Sequence, residues 1–212
     1  MSFTVAMVAG VTPDKWVRRW RDRFPREPLE LLVVEEAEQT AVLRDGRARM
    51  SFVRSLVDRE GLHLIPLWSE RQVAVLPVDH PLAEFDALER ADLADDLVLE
   101  ELPAKVAVET VAAGTGIVLL PGSVARVHHR KDVRAVPVTD LEETRVGLAW
   151  RVDDDDPRIE EFIGIVRGRT ERSSRGAAEP VPAKQQPKKG RPVTNPKAAG
   201  APRGNRRRTG SR

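Results

Sequence analysis

Short apolar runs alternate with stretches of helical periodicity along the first 166 residues. Residues 3–9 and 29–34 are almost continuously apolar, a pattern typical of strands buried on both faces of a sheet. Between them, large apolar side chains recur about once per helical turn, which predicts a helix capped by Thr12 and begun by Pro13. This order of strand, helix and strand predicts an α/β fold with a mostly parallel sheet covered by helices.

The same alternation predicts the remaining elements as far as residue 166. Further strands are expected at residues 50–53, 71–76, 98–100, 117–120, 133–138 and 145–152. Helices are expected at residues 36–43, 85–97 and 106–113, after a cap at Ser123, and after a cap at Asp156. We therefore predict a folded domain at residues 1–166.

Charge divides the chain at the same place. Residues 167–212 hold 14 lysines and arginines against Glu171 and Glu179, so this segment carries +12. The whole chain is +2, which leaves −10 for residues 1–166. The segment lacks aromatic residues, Leu and Ile, so it cannot offset an ordering entropy of about 1–2 kcal/mol per residue. We predict that residues 167–212 are a disordered basic tail.

Residues with catalytic or metal-binding chemistry do not form recognisable motifs. The chain has no Cys, and none of its serines lies in a G-x-S-x-G sequence. The glycines at residues 114–116 precede a predicted strand rather than a helix, so they are not expected to bind phosphate. The adjacent histidines at residues 128–129 and the acidic run at 153–156 lack the spacing of zinc and calcium sites. We predict a protein that is not an enzyme and that uses no cofactor or metal.

Membrane and secretory segments are not expected in this sequence. No apolar run approaches the roughly 20 residues that span a bilayer. The apolar N-terminal run has neither the preceding positive charge nor the cleavage site of a secretory signal. We therefore predict a cytoplasmic protein without a membrane partner.

The basic residues of the tail lie in clusters separated by Pro and Gly. Such clusters can follow a phosphate backbone through counterion release, and the absence of aromatic residues argues against base stacking. We expect sequence-independent contact with DNA or RNA, with a solubilising extension as the alternative. The residues expected to make this contact are Lys184, Lys188, Lys189, Arg191, Lys197, Arg203, Arg206, Arg207, Arg208 and Arg212.

Two long motifs carry a resemblance to a known family. They are VAVLPVDHPLA at residues 73–83 and VETVAAGTGIVLLPGSVAR at residues 108–126. The opening strand with its helix, the sequence LRDG ending at Gly46, the strand ending VGLAWR at Arg151, and Phe162 agree with them in order and spacing. Together these segments resemble the effector-binding (substrate-binding) domain of LysR-type transcriptional regulators, which has the type II periplasmic-binding-protein fold.

The resemblance implies two α/β subdomains joined by crossover strands, with a small effector bound in the cleft between them. Subdomain I would comprise residues of about 3–70 and 142–166, and subdomain II residues of about 71–141. The loop at Gly10, Val11 and Thr12 would face the cleft, where backbone N–H groups and the Thr12 hydroxyl suit an effector carboxylate. Gln39 is expected to complete the ligand-binding residues.

The chain departs from the family pattern in three places. The first strand begins at Phe3, so the family's N-terminal winged helix-turn-helix is expected to be absent. The stretch between Pro81 and Val108 is short, so a strand and a helix of subdomain II are expected to be missing. Arg49 stands where the family has an acidic residue.

These observations lead to two hypotheses about function. The first is a regulatory or sensing protein that binds a small carboxylate effector and contacts DNA or RNA non-specifically through its tail. The second is a protein–protein interaction module that has lost ligand binding and pairs with other regulators. A homodimer or a complex with another regulator is expected in either case.

Overall fold

The computed structural model describes residues 2–55 and 57–168. The strands are β1 (Phe3–Met7), β2 (Leu29–Val33), β3 (Met50–Arg54), β4 (Leu62–Glu70), β5 (Gln72–Pro77), β6 (Val118–Pro121), β7 (Val133–Pro137) and β8 (Thr144–Arg151). The helices are α1 (Asp14–Arg23), α2 (Ala41–Arg44), α3 (Ala104–Ala112), α4 (Gly122–Val127) and α5 (Pro157–Val166), with 3-10 turns at Glu36–Glu38, Pro81–Glu84 and Arg90–Leu93. The predicted disorder of the basic tail lies outside the described residues from position 169 onward.

The first sheet has the strand order β2-β1-β3-β8-β4. Strand β1 is parallel to β2 and β3, and β8 is antiparallel to β3 and β4. On one face, Phe3, Trp20, Phe52 and Phe162 form an aromatic cluster with ring centroids 5.0 to 6.2 Å apart. All four side chains are fully buried. On this face of the sheet, the apolar face of α1 therefore packs with α5, the last helix of the described chain.

The second sheet has the strand order β6-β5-β7, and β5 is antiparallel to both neighbours. The parallel bridges Leu88–Val138 and Val98–Ile117 extend it at its two sides. The α/β architecture is confirmed, but the prediction of a mostly parallel sheet is wrong. Continuous apolar runs indicate burial on both faces of a strand. In this structure β5 is buried on both faces although it is antiparallel to both neighbours.

Strand β4 is absent from the sequence-based prediction because Pro66 interrupts its apolar pattern. The strand lies at the edge of the first sheet and pairs only with β8 among the named strands. The register shifts between Pro66 and Trp68. A proline is tolerated at such a position because an edge strand with a bulge does not need every N–H for the ladder.

The predicted helix at residues 85–97 is wrong. Only the turn Arg90–Leu93 is helical, and it is a 3-10 turn. Leu88 is held in extended pairing, since its N–H donates to the Pro137 carbonyl at 2.8 Å and its carbonyl accepts from the Thr139 N–H at 2.9 Å. Pairing with the second sheet therefore prevails over the weak helical periodicity of this acidic stretch.

The two sheets are connected twice. Strands β4 and β5 are separated only by Arg71, and the chain returns between β7 and β8. The proposed subdomain boundaries, residues 3–70 with 142–166 and residues 71–141, remain a prediction.

Among the described residues, no helix is both long and apolar enough to cross a membrane.

Asp156 caps α5, as predicted. Its carboxylate accepts a hydrogen bond from the Arg158 N–H at 3.0 Å and pairs with the Arg158 guanidinium at 2.6 Å. Nearby, Arg49 binds Asp154 at 3.0 Å, so Arg49 has an acidic partner in the loop before the same helix. The hydrogen bonds from Arg158 lower the pKa of Asp156 below its ordinary value of 3.8.

We expect Asp156→Ala to lower the free energy of unfolding by about 1–2 kcal/mol at pH 7, the usual cost of losing an N-cap. Because the folded state lowers the pKa of Asp156, its contribution is present above pH 3.8 and is lost as the pH falls further. Urea unfolding at pH 7 and pH 3 measures the difference. The exposed neighbour Asp155→Ala is the control, and an equal loss in both variants would contradict the capping role.

Candidate functional site

A cavity of about 230 Å³ lies where the loop after β1 meets helix α4 of the second sheet. It is lined by Gly10, Thr12, Lys15, Trp16, Trp68, Glu70, Ser123 and Arg126. These residues come from the β1–α1 loop, α1, the end of β4, and α4. The cavity is therefore built by elements of both sheets, close to the β4–β5 connection.

Gly10 allows the β1–α1 loop to approach α4. Its φ of +87° is a conformation that side chains rarely adopt. A Cβ at this position would collide with the Ser123 hydroxyl and lie 2.9 Å from the Ser123 carbonyl carbon. The close contact between the two sides of the cavity thus requires glycine.

The predicted ligand-binding residues lie in different environments. Gly10 and Thr12 line the cavity, whereas the Val11 side chain is 5% exposed and belongs to the core of the first sheet. Gln39 does not line it, because its amide is bound to the backbone of Arg54, with Gln39 Nε2 donating at 3.1 Å and Gln39 Oε1 accepting at 2.7 Å. Ligand contact by these four residues remains a prediction.

Two predicted helix caps at the site are wrong. Helix α1 begins at Asp14 with Pro13 as its cap, and no side chain caps it, so the Thr12 hydroxyl has no capping bond. Helix α4 begins at Gly122 with Pro121 as its cap. Ser123 therefore lies inside the helix, and its hydroxyl is bound to side chains of the first sheet instead.

Arg54 is the central residue of the site that the sequence analysis missed. Its side chain is fully buried at the end of β3. Nη1 contacts Glu36 Oε1 at 2.7 Å, Nη2 donates to Ser123 Oγ at 3.1 Å, and Nη2 lies 3.6 Å from Glu70 Oε2. A charged residue at the end of an otherwise apolar strand was the available signal.

Glu70, the last residue of β4, binds Ser123 and lies close to Arg54. Its Oε2 accepts a hydrogen bond from Ser123 Oγ at 2.6 Å, and its Oε1 accepts one from Trp68 Nε1 at 2.9 Å. The Glu70 side chain is 10% exposed and lines the cavity. Arg54, Glu70 and Ser123 therefore form a network between the first sheet and α4, and we call it the cleft network.

Two cations stand at the opening of the cavity. Lys15 and Arg126 are exposed, and Lys15 Nζ lies 4.5 Å from the centre of the Trp16 ring. Within residues 2–55 and 57–168, neither takes part in an ion pair. With the uncapped N-terminus of α1, they can attract an anion.

The described part of the chain contains no group of acidic and histidine residues arranged to hold a metal ion.

This fold is shared with effector-binding domains of known structure. The effector-binding domain of a BenM variant superposes with a TM-score of 0.68 at 20% identity, over 78% of this chain and 93% of that one. The structure described as the BenM effector-binding domain with its effector benzoate superposes with a TM-score of 0.65 at 19% identity, over 85% and 96%. These matches establish the fold.

The sequence matches the same class of protein. Residues 3–100 match the family model described as the LysR substrate binding domain. The HTH-type transcriptional regulator CatR of Pseudomonas putida is 27% identical over 165 residues, covering 63% of this chain and 56% of CatR. The resemblance predicted from the sequence is confirmed. The chain spans less than two thirds of the length of the regulators it matches.

Proposed function

We propose that residues 2–168 form the sensing domain of a regulatory protein and that the cavity binds a small carboxylate as its effector. The observation that carries this proposal is the cavity between the Gly10 loop and α4, lined by the exposed cations Lys15 and Arg126, which have no ion-pair partner within residues 2–55 and 57–168. The similarity to LysR-type regulators supports a regulatory role rather than an enzymatic one. A carboxylate would meet the Thr12 hydroxyl, the N-terminus of α1, Lys15 and Arg126.

A thermal-shift screen of small carboxylates tests the proposal. A ligand at 100 times its Kd adds about 2.7 kcal/mol of stability. For a domain of this size, that corresponds to a rise in Tm of about 5–10 °C. The double variant Lys15→Gln/Arg126→Gln should lose the shift, and the matched control Lys105→Gln/Arg134→Gln should keep it. Equal shifts in both double variants would rule out binding at the cavity.

A second candidate is an interaction module without a ligand. The cleft network and the contact between Gly10 and Ser123 fill part of the space between the β1–α1 loop and α4. A cavity of about 230 Å³ remains there. Ligand pockets commonly have volumes of about 300–1,000 Å³. This function predicts no Tm shift with any carboxylate and co-elution with a purified LysR-type regulator in size-exclusion chromatography.

We also propose that the basic tail contacts nucleic acid without sequence preference. Its +12 charge supports this, because the remaining residues carry −10 and would repel DNA. The residues involved are those named in the sequence analysis, from Lys184 to Arg212.

Deleting residues 169–212 is expected to abolish retention on immobilised duplex DNA. The full chain should be retained at low salt and elute as the salt concentration rises, since each phosphate contact releases counterions. The measurement is the salt concentration at elution, for both chains and for two unrelated duplex sequences. Retention that survives the deletion, or that depends strongly on sequence, would refute the role of the tail.

A further inference from the structure

The charges around Arg54 are not balanced when Glu36, which lies outside the cleft network, is included. Arg54 is one cation, and two carboxylates share it. Glu36 binds it at 2.7 Å, whereas the nearest oxygen of Glu70 lies 3.6 Å away, beyond hydrogen-bond distance. Glu36 is 48% exposed and can also be solvated, but Glu70 is 10% exposed. Glu70 is therefore a nearly buried carboxylate whose counter-ion is held more closely by another group.

The remaining partners of Glu70 are neutral. Ser123 Oγ and Trp68 Nε1 each donate one hydrogen bond to it. A carboxylate offers about four acceptor positions, so Glu70 can accept further hydrogen bonds. Because Glu70 lines the cavity, a group bound there would be within its reach.

The cavity consequently has two charged sides. Lys15 and Arg126 are positive and exposed at its opening, and Glu70 is negative and nearly buried. A ligand with only a carboxylate would satisfy the cations but would cover Glu70 with apolar atoms. Removing a charged group from water without a new hydrogen bond is costly, so such a ligand would bind weakly.

We propose, building on the carboxylate site above, that the cleft ligand also carries a hydrogen-bond donor, an amine or a hydroxyl, which binds Glu70. The carboxylate of this ligand faces Thr12, Lys15 and Arg126. The volume of the cavity, about 230 Å³, lies below the roughly 300–1,000 Å³ of common ligand pockets, so the ligand is small. Amino acids and hydroxy acids with short side chains have this chemistry.

Matched ligands test this inference on the full, unmodified chain. Isothermal titration is performed with valine, 2-hydroxy-3-methylbutanoate, 3-methylbutanoate and isobutylamine, and with the corresponding sets derived from alanine and 2-aminobutanoate. In at least one set, the amino acid or the hydroxy acid should bind at least about tenfold more tightly than the plain acid and the plain amine, a difference of about 1.4 kcal/mol.

The outcomes separate this inference from the proposed function. A plain acid that binds as tightly as its amino and hydroxy analogues in every set would overturn the inference and leave the carboxylate site standing. A plain amine that binds as tightly as the amino acid would also overturn it. If no carboxylate of any kind binds, both proposals fail.

The variant Glu70→Gln provides a second test. It removes the negative charge of the cavity and should reduce the preference for the amino acid over the plain acid to about twofold or less. Glu160→Gln, at an exposed position of α5, is the matched control and should keep the full preference. Circular dichroism of both variants shows whether they are folded, and the ligand series on the unmodified chain decides the matter if Glu70→Gln is not. An unchanged preference in a folded Glu70→Gln variant would overturn the inference.

Discussion

A chain that ends at Leu141 is expected not to fold, whereas a chain that ends at Gly168 is expected to keep its Tm. The shorter chain lacks β8, which lies between β3 and β4 in the first sheet and is the only named strand that pairs with β4. It also lacks Phe162, which is fully buried against Phe3 and Trp20. Losing one such aromatic side chain costs about 3–5 kcal/mol, and total stabilities are about 5–15 kcal/mol.

Circular dichroism and urea unfolding of the two truncated chains measure this difference. The chain ending at Gly168 contains all the strands and helices described above and should unfold cooperatively. The chain ending at Leu141 should show no cooperative transition. A cooperative transition in the shorter chain would mean that the first sheet forms without the returning segment, contrary to the proposed composition of subdomain I.

Arg54→Met is expected to lower the free energy of unfolding by about 3 kcal/mol, because removing one partner of a buried ion pair leaves the other uncompensated. In a domain of this size, this corresponds to a fall in Tm of about 6–12 °C. Glu70 would lose its nearest cation while remaining 10% exposed, and Ser123 would lose a donor. The cleft network is thus expected to be the most sensitive polar region of the described chain.

Two further variants show whether this loss comes from the buried charge. In Arg54→Met/Glu70→Met, the unpaired carboxylate is removed as well, and at least about half of the lost stability should return. In Arg44→Met, an exposed ion pair with Asp58 is broken, and the loss should stay below about 1 kcal/mol. Equal losses for Arg54→Met and Arg44→Met would contradict the role of Arg54 at the cleft.

The local features of the fold were predictable from the sequence. Apolar runs predicted most of the strands, and the aspartate and proline before the last helix predicted its cap at Asp156. Features that depend on contacts between distant parts of the chain were not predictable. Pro66 conceals an edge strand that pairing with β8 stabilises, and Leu88 is extended because of Pro137 and Thr139.

The same limit applies to the candidate site. The loop at Gly10 and Thr12 could be placed at a cleft because the motifs resembled a known family. The cleft network could not be predicted, since Arg54 and Ser123 are 69 positions apart and Glu70 and Ser123 are 53 apart. A single sequence contains no signal that joins these three residues, and only the packing of α4 against the first sheet brings them together.

A crystal structure with the tightest-binding carboxylate shows directly whether the cavity binds the effector. We expect ligand density between the Gly10 loop and α4, with the carboxylate at Thr12, Lys15 or Arg126. We also expect an amine or hydroxyl of the ligand within hydrogen-bond distance of Glu70. A ligand bound elsewhere, with this cavity empty and the contact between Gly10 and Ser123 unchanged, would contradict both expectations.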